Sequence, residues 1–109
     1  MTKPKPNRAD YPPPEGLSER AQALWAAVVP ARAVSAGRLA LIEEALRALD
    51  RADQARRIVD EKGPTFETKT TGAVHIRPEV RIERESRQMF ARLWSSMRLE
   101  WSYSEDGRL

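Results

Sequence analysis

The chain has 109 residues, a formal net charge of +3 at pH 7, 32% charged residues, a single histidine and no cysteine. That length allows one domain with tails. The missing cysteines exclude disulfides, thiolate metal sites and cysteine nucleophiles, and the lone His75 excludes a multi-histidine metal centre.

No stretch of about 18 apolar residues runs together, so no transmembrane helix and no membrane partner are expected. The N-terminal run Met1-Thr2-Lys3-Pro4-Lys5-Pro6 lacks the apolar segment of a signal peptide. Of the 40% hydrophobic residues, 15 are alanine, which leaves few large side chains to offset the entropy of folding. A helix-favouring composition with so thin a core suggests that copies of the chain cover one another. The charge is uneven: residues 17–61 are neutral, residues 62–98 carry +4, and residues 99–109 carry −2. A basic second half permits a nucleic-acid partner without requiring one.

Residues 1–16 hold five prolines and read as a flexible, disordered arm bearing Lys3, Lys5 and Arg8. Helix 1 starts at Leu17-Ser18, with Ser18 as N-cap and Leu17 placed to staple onto a later apolar residue. Ala21, Leu24, Trp25 and Val28 follow helical spacing, and Trp25 on that stripe reads as a core anchor. Pro30 should end the helix, with a short helical piece at 31–35.

Helix 2 is expected from about Leu39 to Glu61, roughly 35 Å long. Its apolar face is Ile42, Leu46, Leu49, the Ala52/Asp53 step and Ile58-Val59. Glu43–Arg47, Asp53–Arg57 and Arg57–Glu61 are spaced as i,i+4 ion pairs. Gly63-Pro64 is a stop signal. Thr65–Thr68 and Ala73–Ile76 are short, β-favouring and roughly alternating, which predicts a small hairpin turning through Lys69-Thr70-Thr71-Gly72. Lys69 at its tip is either a phosphate contact or simply solvated.

Helix 3 begins after Arg77-Pro78, with proline in the first turn and Glu79 at the positive end of the dipole. Ile82, Met89, Phe90, Leu93, Trp94 and Met97 form one broad stripe, with Ser86 at a small position within it. Arg81–Glu85 and Glu83–Arg87 can pair, whereas Arg92 and Arg98 have no acid four residues away. Residues 99–102 are expected to pack as an extended tail and 103–109 to fray.

The fold class is thus mainly all-α: a long antiparallel helical hairpin, a short N-terminal helix and a small β-hairpin between the long helices. Residues 1–16 form the arm, 17–101 the helical domain and 102–109 a flexible tail. No P-loop, GxGxxG, HExxH or GxSxG occurs, and the adjacent Glu43-Glu44 point to different sides of a helix. No catalytic residue, metal or cofactor is expected, and the remaining classes are nucleic-acid binding, protein interaction and scaffolding.

Two stretches carry a resemblance: LSERAQALWAAVVP at residues 17–30 and RPEVRIERE at residues 77–85. In this order, with a long Ala-rich helix and a polar hairpin between them, they resemble small terminase subunits of tailed bacteriophages and prophages. That family opens with LSxxAxxLW…VP and starts its last long helix with (His)-Pro-x-x-x-Ile-x-x-Glu. Here Arg77 stands where a histidine is common, and the segment after Pro30 lacks the usual acidic lead into the long helix.

The resemblance implies a non-catalytic subunit in the host cytoplasm. It would form a homo-oligomeric ring of about eight to ten copies, recognise viral double-stranded DNA and hand it to a large terminase subunit with ATPase and nuclease activities. Charge position nominates Lys62, Lys69, Arg77, Arg81, Arg84 and Arg92 for DNA, with Lys3, Lys5 and Arg8 as an arm. Ile42, Leu46, Leu49, Phe90, Leu93 and Trp94 are favoured for the subunit interface, with the core of one subunit as the alternative for some of them. The alternatives are a dimeric helical DNA-binding regulator and a protein-interaction adaptor.

Overall fold

The computed structural model describes residues 10–29 and 35–98. The elements in chain order are α1 (Glu19–Val28), α2 (Ala36–Lys62), β1 (Thr65–Glu67), β2 (Val74–Ile76) and α3 (Pro78–Met97). This is the expected helical fold with a two-stranded hairpin between the two long helices.

Each terminus has a local cause. Ser18 and Ser35 are in extended conformation, and their hydroxyls accept from the amides of Ala21 and Arg38, so α1 and α2 are both serine-capped. The α2 cap at Ser35 extends that helix N-terminally beyond the expected start at Leu39. Gly63 at φ +84° ends α2, a backbone region closed to most side chains. Pro78 opens α3 in the first helical turn, where its missing amide costs nothing. Arg98, at φ 51° and ψ 46°, ends α3 in the left-handed region.

The strands pair antiparallel with Thr65 opposite Ile76, Phe66 opposite His75 and Glu67 opposite Val74. Alternation therefore puts Phe66 and His75 on one face, where their rings stack 5.3 Å apart, and Val74 and Ile76 on the other. The hairpin reverses the chain, so α3 runs back along α2. The ends meet where the Arg38 guanidinium donates to the Met97 carbonyl at 2.7 Å.

The core lies where α1 crosses the far end of this helical hairpin. It contains Leu17, Trp25, Val28, Val29, Ile42, Leu46, Leu49, Trp94 and Met97, with Leu24, Phe90 and Leu93 packed against it. Ile42, Leu46, Leu49 and Trp94 are 0, 0, 2 and 7% exposed within one copy of the chain. They are core residues and offer no surface to a neighbour. Phe90 and Leu93 pack on the same cluster, and the Phe90 and Trp94 rings are 5.2 Å apart. The interface reading is therefore corrected for Ile42, Leu46, Leu49 and Trp94, which one chain covers by itself, whereas Phe90 and Leu93 are only half-buried.

Away from that cluster, the α2 seam is small. Ala45, Ala48, Ala52 and Ala55 are at most 3% exposed, and Ser86 of α3 is also buried. Small side chains let two helix backbones approach closely, so area is buried without bulk. The broad α3 stripe is likewise corrected. Ser86, Trp94 and Met97 face inward, but Ile82 and Met89 are 42 and 44% exposed.

Residues 10–16 do not form a free arm. Tyr11 packs on the core, its carbonyl accepts from the Trp25 indole at 2.9 Å, and the Glu15 carbonyl accepts from Arg47 at 3.2 Å. A buried indole N–H needs an acceptor, and this extended segment supplies one. Lys3, Lys5 and Arg8, residues 31–34 of the helical piece expected at 31–35, and the tail from residue 99 lie outside the described residues, and Ser35 is the cap of α2.

Candidate nucleic-acid interface

Cations in this fold divide into those held by carboxylates or carbonyls and those left facing solvent. The held group is organised around Asp53. This side chain, 21% exposed, sits 3.1 Å from Arg20 of α1 and 3.3 Å from Arg87 of α3. Arg87 also meets Glu83 at 3.0 Å, and Glu83 lies 3.5 Å from Arg56, which pairs with Asp60 at 2.6 Å. The Arg56 guanidinium is held above its ordinary pKa, chiefly by its hydrogen bond to Asp60.

The expected Asp53–Arg57 pair is replaced by this network. Asp53 faces the seam between helices, and Arg57 donates to the Asp53 backbone carbonyl instead. The expected Glu43–Arg47, Arg81–Glu85 and Glu83–Arg87 pairs are present at 2.8, 2.9 and 3.0 Å. Arg57 and Glu61 are not paired among the described residues; Arg56 and Asp60, one position earlier, are.

Arg77 also belongs to the held group. Its Nε donates to the Gly63 carbonyl at 3.0 Å, its Nη2 lies 3.4 Å from the carbonyls of Lys62 and Thr65, and its guanidinium stands 5.8 Å from the centre of the Phe66 ring. A cation on the unpaired carbonyls at the end of α2 opposes the negative end of that helix dipole. Arg77 therefore ties α2 to the hairpin, and its fork is already filled. Its nomination as a DNA contact is corrected to a structural clamp.

The outward group is Lys62, Lys69, Arg81, Arg84 and Arg92, all exposed. Among the described residues, no carboxylate lies within ion-pair distance of Lys62, Lys69, Arg84 or Arg92, whereas Arg81 is shared with Glu85. Arg81, Arg84 and Arg92 lie along the solvent side of α3, opposite the stripe of Ser86, Trp94 and Met97. Arg81 and Arg92 are about 16 Å apart along that helix. Lys69 sits at the far end of the hairpin and is not part of this row.

One contributor escapes a block-by-block charge reading. Arg51 of α2 is exposed, and its Nη2 lies 3.8 Å from the Met89 sulfur, on the same side of α3 as Arg92 three residues later. It too has no acid four residues away in the sequence, the pattern that marks Arg92 and Arg98. The neutrality of residues 17–61 as a block hides it. The resulting surface is a row of cations along α3 joined by one from α2, suited to phosphate contacts.

No helix among the described residues is long and apolar enough to cross a membrane, and no cluster of three potential metal ligands occurs among them. No family model matches the chain, and neither the curated proteins nor the solved structures contain a match to it.

Proposed function

We propose that this chain is the small, non-catalytic subunit of a viral DNA-packaging terminase, acting in the host cytoplasm. In this reading it assembles as a homo-oligomeric ring, binds viral double-stranded DNA and regulates a large subunit that carries the ATPase and nuclease. The likeness of residues 17–30 and 77–85 to that family's two motifs supports the reading, with a 27-residue helix and a polar hairpin between them.

The observation that carries the DNA contact is the exposed row Arg81, Arg84 and Arg92, with Arg51 beside it. In a ring, each copy repeats this row, and the summed field attracts a polyanion far more strongly than a single net charge of +3. With Ile42, Leu46 and Leu49 of α2 enclosed in one subunit, contacts between copies fall to exposed apolar residues: Leu41 on α2, and Val74, Ile76, Ile82 and Met89.

The test is binding of a duplex oligonucleotide followed by fluorescence anisotropy at increasing salt. Affinity should fall linearly on a log–log plot, with a slope of roughly −0.9 per phosphate neutralised. Replacing Arg84 and Arg92 together by Glu should abolish retention at moderate salt and leave the helical circular dichroism unchanged. Absence of any salt-dependent binding by the native chain would remove DNA from the account.

A further inference from the structure

A groove of about 630 Å³ lies between the end of β2 and the first turns of α3. The apolar part of its lining, its floor, is Ile76, Val80 and Ile82, and Arg77, Arg81, Arg84 and Glu85 are its charged part. Arg77 is held by backbone carbonyls and Arg81 by Glu85, which leaves Arg84 as the cation without a partner among the described residues. Ile76 is 71% exposed and Ile82 42%, so nothing among the described residues covers the floor. The volume is of the size that encloses a ligand side chain or a short peptide. Exposed apolar side chains beside the free Arg84 suit an acidic segment that carries an aromatic anchor.

The chain contains such a segment. Residues 99–106 read Leu-Glu-Trp-Ser-Tyr-Ser-Glu-Asp: two aromatic residues flanked by Glu100, Glu105 and Asp106, with no cation. We infer that the segment 99–106 of one copy docks in the groove of a second copy, with Trp101 on Ile76 and Ile82 and the acids beside Arg84.

Reach decides which copy supplies Trp101. Trp101 is three residues past Arg98, about 11 Å of fully extended chain. Ile82 lies sixteen residues back along α3, about 24 Å away. Trp101 therefore falls well short of its own groove. A tail–groove contact between copies uses two different patches, so it is heterologous: it propagates around a ring if the rotation closes and along a filament if it does not. The inference rests on the proposed oligomer and requires no DNA; because Arg84 belongs to both contacts, a docked tail competes with DNA for it.

The test uses the full chain in three forms, followed by sedimentation velocity without DNA. Ile82→Glu spoils the groove and leaves the tail intact; Trp101→Ala does the reverse. Each variant alone should sediment as a monomer with native helicity. Mixed in equal amounts, they should form a 1:1 heterodimer, because one good groove then meets one good tail. Glu105→Lys with Asp106→Lys gives a second tail variant outside the helical core, and it should weaken assembly more at low salt than at high salt.

A monomeric native chain overturns the inference, as does native mass in either single variant or a mixture that stays monomeric. If Ile82→Glu unfolds, Ile76→Glu on the exposed hairpin face takes its place. Duplex binding measured separately keeps the two readings apart. Assembly without DNA binding ends the packaging proposal alone, whereas DNA binding by a chain that fails the mixing test ends the tail–groove contact alone.

Discussion

The Asp50 carboxylate of α2 holds both the backbone amide and the hydroxyl of Ser18, at 2.8 and 2.5 Å, while that hydroxyl accepts from the Ala21 amide and caps α1. The cap of one helix is thus fixed by a side chain of another. Hydrogen bonds to an ionised group are worth about 1.5–3 kcal/mol. Asp50→Ala should therefore destabilise the chain by about 2 kcal/mol, more than the roughly 1 kcal/mol expected for loss of the Ser18 cap alone. Urea unfolding of both single variants and the double variant checks this, and the double should cost less than the two singles combined, because the two residues share their bonds.

The buried alanine seam makes a prediction that runs against hydrophobicity. Ala52 is fully buried on α2. Ala52→Leu adds apolar volume and keeps good helix propensity, yet it should lower stability by about 1–3 kcal/mol through overpacking. A rise in thermal midpoint would mean that the helices are not closely apposed there.

Leu46 separates core from interface. It is fully buried in one copy, so Leu46→Ala should cost about 2–5 kcal/mol and lower the thermal midpoint. The mass of the species that remains folded should be unchanged. A stable variant of reduced mass would instead return Leu46 to a subunit interface.

Arg77 and Arg84 should behave in opposite ways despite their shared charge. Arg77→Ala removes the clamp on the carbonyls of Lys62, Gly63 and Thr65, and should raise amide exchange in the hairpin. Arg77→Lys should rescue little of this, since a lysine cannot reproduce the planar fork. Arg84→Ala should leave exchange alone and reduce the salt slope of DNA binding by about one.

Much of this architecture is legible in the sequence because its signals are local. Ser18 before an apolar period, Gly63-Pro64 after a long one, and Pro78 next to Glu79 mark ends that backbone chemistry dictates. Trp25 sits on a clear stripe and is 6% exposed.

What escapes is decided between elements. Alanine adds little to an apolar period, so the seam Ala45-Ala48-Ala52-Ala55 reads as a thin core when it is a close one. Asp53 has a helical partner at the right spacing in Arg57, but tertiary packing turns it toward Arg20 and Arg87. Tyr11 lies in a proline-rich stretch whose composition suggests disorder, and it docks through a carbonyl that no side-chain pattern reveals. Within the candidate interface, charge position finds Arg84 and Arg92, includes the occupied Arg77 and overlooks Arg51.

The proposed assembly is a closed ring of copies that presents its cations to DNA. The most direct measurement is absolute mass in solution, by size-exclusion chromatography with light scattering at moderate salt. The account predicts one species of about eight to ten subunits, as a closed heterologous assembly requires a fixed number. A clean monomer or dimer across the concentration range contradicts it.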